Sequence, residues 1–273
     1  MSAGESVVRV SDERKHAILN HGDKIFAEEF RMQRVVIFIL VFGLTAGALA
    51  DDLRLTASEW PPYVSAQLYK NGVAVVLTEE ALRRAGHEVA TQLAPWPAAL
   101  ESTLAGEADV ITSVWRTTDR EAGLVFSEPL MTNYIVFVKR YDNEANYSTR
   151  ADLEGLRIGV VTDYAYSDQP YDTTGLTVVE SGSVRVNLQK LLAGQLDLVL
   201  ADSRVAAYEI DALIAAKELT LIRNPLQTRS LHAAVSKRRP DAEEIVAAIN
   251  AGISALREDG GYNAILATFR ISE

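Results

Sequence analysis

From Asp51 onward, short apolar runs alternate with segments of helical period. Leu53, Leu55 and Ala57 alternate with Arg54 and Thr56, the period-two pattern of a strand with one face buried. Residues 72–85 carry a helical pattern that stops at Gly86, a residue suited to the left-handed position just past a helix end. Strand character returns over 87–93, a helix is predicted over 97–105 and closed by Gly106, and a buried strand follows over 109–114. Strands and helices alternating in this way predict an α/β architecture with largely parallel strands. A partial echo runs through the pattern. LAGEADVITS (104–113) resembles LAGQLDLVLAD (192–202): each ends a helix with Ala-Gly, places Asp three residues later and launches an apolar strand. The echo is either generic α/β punctuation or the trace of two similar lobes.

With two lobes, the chain must cross between them. The β-branched and aromatic run 134–140 (YIVFVKR) suits the outward crossing, and 224–231 suits the return, ahead of another strand at 231–235. This reading divides the chain into lobe 1, residues 51–136 plus 230–273, and lobe 2, residues 137–229. Ligands of open α/β sheets bind beyond the carboxyl ends of the strands, so two such lobes facing one another make a cleft.

The segment ahead of Asp51 carries an address. Residues 31–50, RMQRVVIFILVFGLTAGALA, hold two arginines, roughly 15 apolar residues and an Ala-x-Ala end. That is the three-part pattern of a secretory signal, and its apolar stretch is shorter than the ~20 residues of a spanning helix. Met32 opens a conventional signal by itself, so 32–50 is predicted to be a signal peptide ending near Ala50 and 1–31 a start-site extension. No Cys follows the cleavage point, and a free periplasmic protein is expected.

Composition narrows the chemistry. A formal charge of −10 argues against nucleic acid or an anionic membrane as the main partner. Cysteine is absent and the four histidines have no ligand-like spacing, so no metal or other cofactor is expected. The informative stretch is VWRTTDRE (114–121), at the carboxyl end of the 109–114 strand. Thr118 and Glu121 have capping-box spacing, which predicts a short helix starting at Thr118 with Arg120 in its first turn. Backbone donors, a positive helix end and a guanidinium would then share one corner, suited to a carboxylate or phosphate. Arg120 alternatively pairs with a neighbouring acid such as Asp119 or Glu121, and Arg116, without that setting, reads as solvated or on a rim. Ser113 and Thr117 sit on the same strand end. Trp60, Trp96 and Trp115 all fall at strand ends or cleft loops; isolated tryptophans usually fill cores, but three sharing one mouth suggest a binding surface.

These stretches together resemble the bacterial extracellular solute-binding proteins of the amino-acid-binding family, the periplasmic components of ABC importers. The matching pieces are EWPPY (59–63), the helix before GEADV, the T-x-x-R of Thr117 to Arg120, FSEP (126–129), LEGLRIGVV (153–161) and GQLDLVLAD (194–202). The resemblance implies a periplasmic-binding-protein type II fold: two α/β lobes joined by two crossing strands with a ligand cleft between them. It also implies a monomeric, non-catalytic receptor for a small amino acid or related zwitterion or carboxylate, with an ABC permease as partner. Residue by residue, it assigns the ligand carboxylate to Arg120 and the ligand ammonium to Asp202, matches Trp60 to a position whose aromatic ring stacks on the ligand, and matches Trp96 to a position near the cleft, which makes it a further candidate contact. Asp202 has a second reading as the N-cap of the helix that follows.

Departures from the family pattern bear on the ligand. Where the family usually has Gly and two small hydroxyl residues, this chain has Thr162-Asp163-Tyr164-Ala165-Tyr166, and Trp115 stands where Ser or Thr is common. Tyr164 and Tyr166 are therefore candidate ligand contacts in a more aromatic cleft. Two alternatives stay open: a ligand-sensing module for a membrane receptor, or a cyclohexadienyl dehydratase-like enzyme in which Asp163 or Glu180 acts as the acid–base group.

Overall fold

A computed structural model describes residues 52–145, 147, 149–166 and 175–272. The predicted signal peptide and the extension before it lie outside these residues. Ten strands form one continuous sheet in the order β2-β1-β3-β10-β5-β8-β6-β7, with β4 on β10 and β9 on β5. The strands are β1 (Leu53–Ala57), β2 (Val89–Leu93), β3 (Val110–Trp115), β4 (Leu124–Phe126), β5 (Met131–Arg140), β6 (Arg157–Val161), β7 (Thr177–Ser181), β8 (Leu198–Asp202), β9 (Leu219–Leu221) and β10 (Gln227–Ser236). The helices are α1 (Val73–Arg84), α2 (Trp96–Ala105), α3 (Thr118–Glu121), α4 (Val184–Leu192), α5 (Ser203–Ala212), α6 (Ala242–Glu258) and α7 (Gly261–Thr268).

The order contains the same unit twice. In one half β1 lies between β2 and β3, parallel to both; in the other β6 lies between β7 and β8, again parallel. Each half is completed by one antiparallel strand that also belongs to its counterpart: β10 beside β3, and β5 beside β8. A short strand then pairs on each shared strand, β4 on β10 and β9 on β5. The periplasmic-binding-protein type II architecture follows from this pattern. The crossing strands are longer than their sequence signals. β5 begins at Met131, and β10 is one strand from Gln227 to Ser236 where the pattern predicted a crossing and then a separate strand.

The repeat reaches the side chains. Arg54 on β1 grips Asp109, just ahead of β3, with backbone N and Nε to Oδ2 (both 2.9 Å) and Nη2 to Oδ1 (2.9 Å), while Nη2 also reaches Gly106 O. Arg157 on β6 grips Asp197 through the same four contacts, with Gly194 O in place of Gly106 O. The echo in the sequence therefore marks one duplicated Arg–Asp clamp that pins the first parallel strand to the approach to the third. Asp109 takes a further bond from Arg239 Nη1 at 3.0 Å.

Helices end where the glycine signals place them. Gly86 has φ +89°, and His87 N closes on Leu82 O at 3.1 Å, satisfying carbonyls that a helix end leaves open. α1 packs closely on α6 because Gly252 has no side chain: a Cβ there would lie 2.4 Å from Ala81 O.

Candidate functional site

Four loops at the carboxyl ends of parallel strands converge, the location expected for a ligand of an α/β sheet. After β1 the chain turns at Trp60, whose N donates to Val64 O (2.8 Å) while Tyr63 N donates back to Trp60 O (2.9 Å). This tight turn stacks the Trp60 ring on Tyr63, centroids 4.8 Å apart. Trp96, the first residue of α2, follows β2.

Along β3 the register against β10 shifts: His232 faces Val114 and Ala234 faces Ile111, so Thr112 and Ser113 together oppose Ala233. Ser113 occupies this bulge at φ +62°, a left-handed conformation costly for a residue with a Cβ. Its Oγ is buried with no hydrogen-bond partner. Two residues on, Trp115 is fixed by its own Nε1, which donates to Asn133 Oδ1 at 2.7 Å.

α3 begins at Thr118 as predicted, but its cap is Thr117, not Thr118. The Thr117 hydroxyl accepts from Arg120 N at 3.3 Å. Glu121 is not the reciprocal cap partner; it pairs with the exposed Arg116. That pairing leaves Arg120 apart from its acidic neighbours. Arg120 Nη1 donates to Trp115 O (2.7 Å), and the guanidinium lies over the Trp96 ring at 4.7 Å. Desolvation, reinforced by the charge of Arg229, brings its pKa down to about 10. Among the described residues no carboxylate neutralises it.

After β6, Asp163 adopts φ +62° and Tyr164 turns inward. Its ring meets Trp60 and Trp115 edge to face, with centroids 6.2 and 6.1 Å away. Burial, then the charges of Asp202 and Glu209, push the Tyr164 hydroxyl up to about 12.

One cavity of about 40 Å³ is lined by Ser58, Glu59, Trp60, Trp96, Ser113, Trp115, Arg120, Asp163, Tyr164 and Ala165. A single water needs roughly 10–15 Å³ of such space, and Arg120, Asp163, Tyr164 and Ala165 also line a larger adjoining hollow into which a guest can extend. Trp60 Nε1 is buried here without a partner, like Ser113 Oγ. Of the predicted site residues, Trp60, Trp96, Ser113, Trp115, Arg120 and Tyr164 are thus brought together. Thr117 instead caps α3 and lines an adjoining hollow of about 620 Å³, as does Tyr166. The Tyr166 hydroxyl is engaged by donating to Leu200 O and accepting from Val161 N, both at 3.2 Å.

Asp202 is not among the residues lining the smaller cavity, contrary to the expectation that it faces Arg120 across one pocket. Its Oδ1 caps α5, accepting from Arg204 N (2.9 Å) and Val205 N (3.0 Å), and also accepts from Tyr63 OH (3.0 Å). Oδ2 is buried without a partner, and desolvation raises the pKa. Tyr63 links this carboxylate to Trp60 and so to the cavity wall. Sequence reasoning missed Tyr63 and Glu59, and offered Asp163 only as the acid–base group of an enzyme alternative. Tyr63 was visible within EWPPY only as a motif letter, and nothing local signals the bond it makes to a residue 139 positions away.

The chain belongs to the bacterial extracellular solute-binding proteins, family 3, whose family model matches residues 55–271. It is 24% identical over 244 residues to the lysine/arginine/ornithine-binding periplasmic protein of Escherichia coli (strain K12), covering 84% of this chain and 93% of that protein. Among solved structures, a mutant of ArgBP from T. maritima superposes with a TM-score of 0.67 at 24% identity, covering 80% of this chain and 94% of that one. A histidine kinase sensor domain similar to periplasmic binding proteins gives 0.69 at 21% identity, covering 80% and 95%. At these identities the structural likeness establishes the fold. No helix among the described residues is long and apolar enough to cross a membrane.

Proposed function

We propose that this protein is a periplasmic receptor that captures a small amino acid, or a related polar zwitterion or carboxylate, in the cleft between two lobes and delivers it to an ABC importer. The observation that carries this reading is the set of unmet polar groups on one cavity wall. Trp60 Nε1 and Ser113 Oγ have no partner, and Arg120 has no neutralising acid among the described residues. Buried polar groups in native proteins are almost always satisfied, so a wall of unmet donors calls for an acceptor-rich guest such as a carboxylate. Asp202, one hydrogen bond behind that wall, supplies negative potential for the positive end of the guest.

Ser58, Trp60 and Arg120 follow strands of lobe 1 and Trp115 ends one, while Asp163 and Tyr164 follow a strand of lobe 2. A guest touching both favours the closed arrangement by its differential affinity, and β5 and β10 are the connections about which the lobes move. We place the lobe boundaries within those two strands, near residues 136 and 230, and the signal cleavage after Ala50. A non-catalytic role accords with the family, and the ligand should leave the site unaltered.

The test is a thermal-shift and tryptophan-fluorescence screen of the purified protein against amino acids, amines and small organic acids. A binding ligand stabilises by mass action and perturbs Trp60, Trp96 or Trp115. A hit that binds Arg120→Ala as tightly as the parent refutes the site. A hit converted to product refutes the receptor role, and uptake of the hit unaffected by deleting the protein refutes delivery.

A further inference from the structure

The rings of Trp60, Trp115 and Tyr164 all line the small cavity, and they stand mutually perpendicular. The three interplanar angles are 85°, 90° and 82°, with centroids 5.3, 6.2 and 6.1 Å apart, so the rings meet like walls at the corner of a box. Aromatic faces carry negative quadrupole density and attract a cation within about 6 Å of the centroid. Trp115 already serves such a platform, since the Arg229 guanidinium lies over it at 5.4 Å. Each wall is held in place: Trp115 through Asn133, Trp60 by the stack on Tyr63, and Tyr164 by contacts with both tryptophans.

What the corner lacks decides which cation suits it. A primary ammonium brings three N–H donors, and each needs an acceptor once water is excluded. The buried acid nearby, Asp202, does not line the cavity, and its Oδ1 already holds three donors. Glu59 and Asp163 do line it but are exposed residues, and Glu59 Oε1 accepts from Ala66 N at 2.8 Å. A methylated ammonium has few or no N–H groups to strand, presents its charge through methyl groups, and is satisfied by π faces. On the same cavity, Arg120, Ser113 Oγ and the Nε1 edge of Trp60 remain for a carboxylate.

We propose that the ligand of this site is a small carboxylate bearing an N-methylated ammonium, with the methylated end in the Trp60–Trp115–Tyr164 corner and the carboxylate on Arg120. The inference rests on the receptor reading above and narrows it. Asp202 then acts through its field, without touching the guest.

Titration calorimetry of the purified protein with glycine, N-methylglycine, N,N-dimethylglycine and N,N,N-trimethylglycine tests this, because the carboxylate is constant and only N–H groups are exchanged for methyls. Affinity is expected to rise along the series, at least tenfold from first to last. Tyr164→Leu should abolish the gain and Tyr164→Phe, which keeps the ring face, should preserve it. Affinity that is flat or falls with methylation overturns the inference, as does a gain that survives Tyr164→Leu. Binding of a primary α-amino acid with none of the series also overturns it, and then points to Asp202 Oδ2 as the ammonium acceptor, leaving the receptor reading intact provided that Arg120→Ala abolishes the binding. If no carboxylate binds at all, both readings fall.

Discussion

Replacing Arg120 by Ala separates a residue kept for binding from one kept for folding. In the structure Nη1 is committed to Trp115 O, which leaves Nη2 and Nε to face a guest. Two charge-assisted hydrogen bonds to a carboxylate contribute roughly 1.5–3 kcal/mol each, and with incomplete additivity about 3–5 kcal/mol is at stake. That corresponds to an affinity loss of roughly 150-fold to several thousand-fold. Stability should respond far less. The stack over Trp96 is worth about 0.5–1 kcal/mol, and its loss is offset by removing a desolvated cation beside Arg229. Urea denaturation of the ligand-free variant should therefore fall within about 1 kcal/mol of the parent, with an unchanged m value. Arg120→Lys should bind with intermediate strength, because it keeps the charge but not the planar fork. Arg116→Ala is the control: it breaks an exposed ion pair with Glu121 worth about 0–1 kcal/mol and should leave binding near parental. Two results would refute the reasoning: parental affinity in Arg120→Ala, or a stability loss of several kcal/mol, which would make Arg120 a framework residue.

The duplicated clamp makes an asymmetric prediction. Asp109→Asn, at a side chain 2% exposed and held by two arginines, should cost about 3 kcal/mol, whereas Asp197→Asn, 23% exposed and held by one, should cost about 1–2 kcal/mol; equal midpoints in urea would contradict this. Burial alone would raise the Asp109 pKa, but hydrogen bonds from Arg54 and Arg239 outweigh it and bring it down to about 2, below its ordinary 3.8. The stabilisation is thus present above the ordinary carboxylate range and lost as pH falls towards about 2, so the acid limb of a stability–pH profile should flatten in Asp109→Asn. Gly252→Ala forces a Cβ to within 2.4 Å of Ala81 O, backbone against backbone, and should cost about 2–3 kcal/mol by calorimetry; a neutral result would show that α1 and α6 separate easily. Tyr63→Phe removes one of three donors to Asp202 Oδ1 and should lower stability by about 1–2 kcal/mol, with no change in midpoint counting against the bond.

What the sequence determined by itself is everything written in adjacent residues. Period-two alternation marks β1, the helical period and Gly86 mark α1 and its end, and the strand end at Trp115 marks the corner where Arg120 sits. Residue types at known spacings thus place the arginine and the three tryptophans at strand ends or the loops that follow them. Tertiary structure decided the rest, because the deciding contacts join residues far apart in the chain. Arg54 and Asp109 meet only once β1 and β3 lie parallel, which turned an ambiguous echo into a repeat. A choice between two adjacent threonines for the cap of α3 rested on backbone direction, and Thr117 rather than Thr118 has the extended conformation that the role needs. The left-handed Ser113 has no local signature, since a glycine would have announced the bulge and a serine does not. Asp202 shows the limit most directly: its cap role follows from the next three residues, but whether its carboxylate reaches the cavity depends on Tyr63, which lies 139 positions earlier in the chain. Local preferences of a few tenths to one kcal/mol can be read in a line of letters, whereas the packing of segments far apart in the chain cannot be expressed in it.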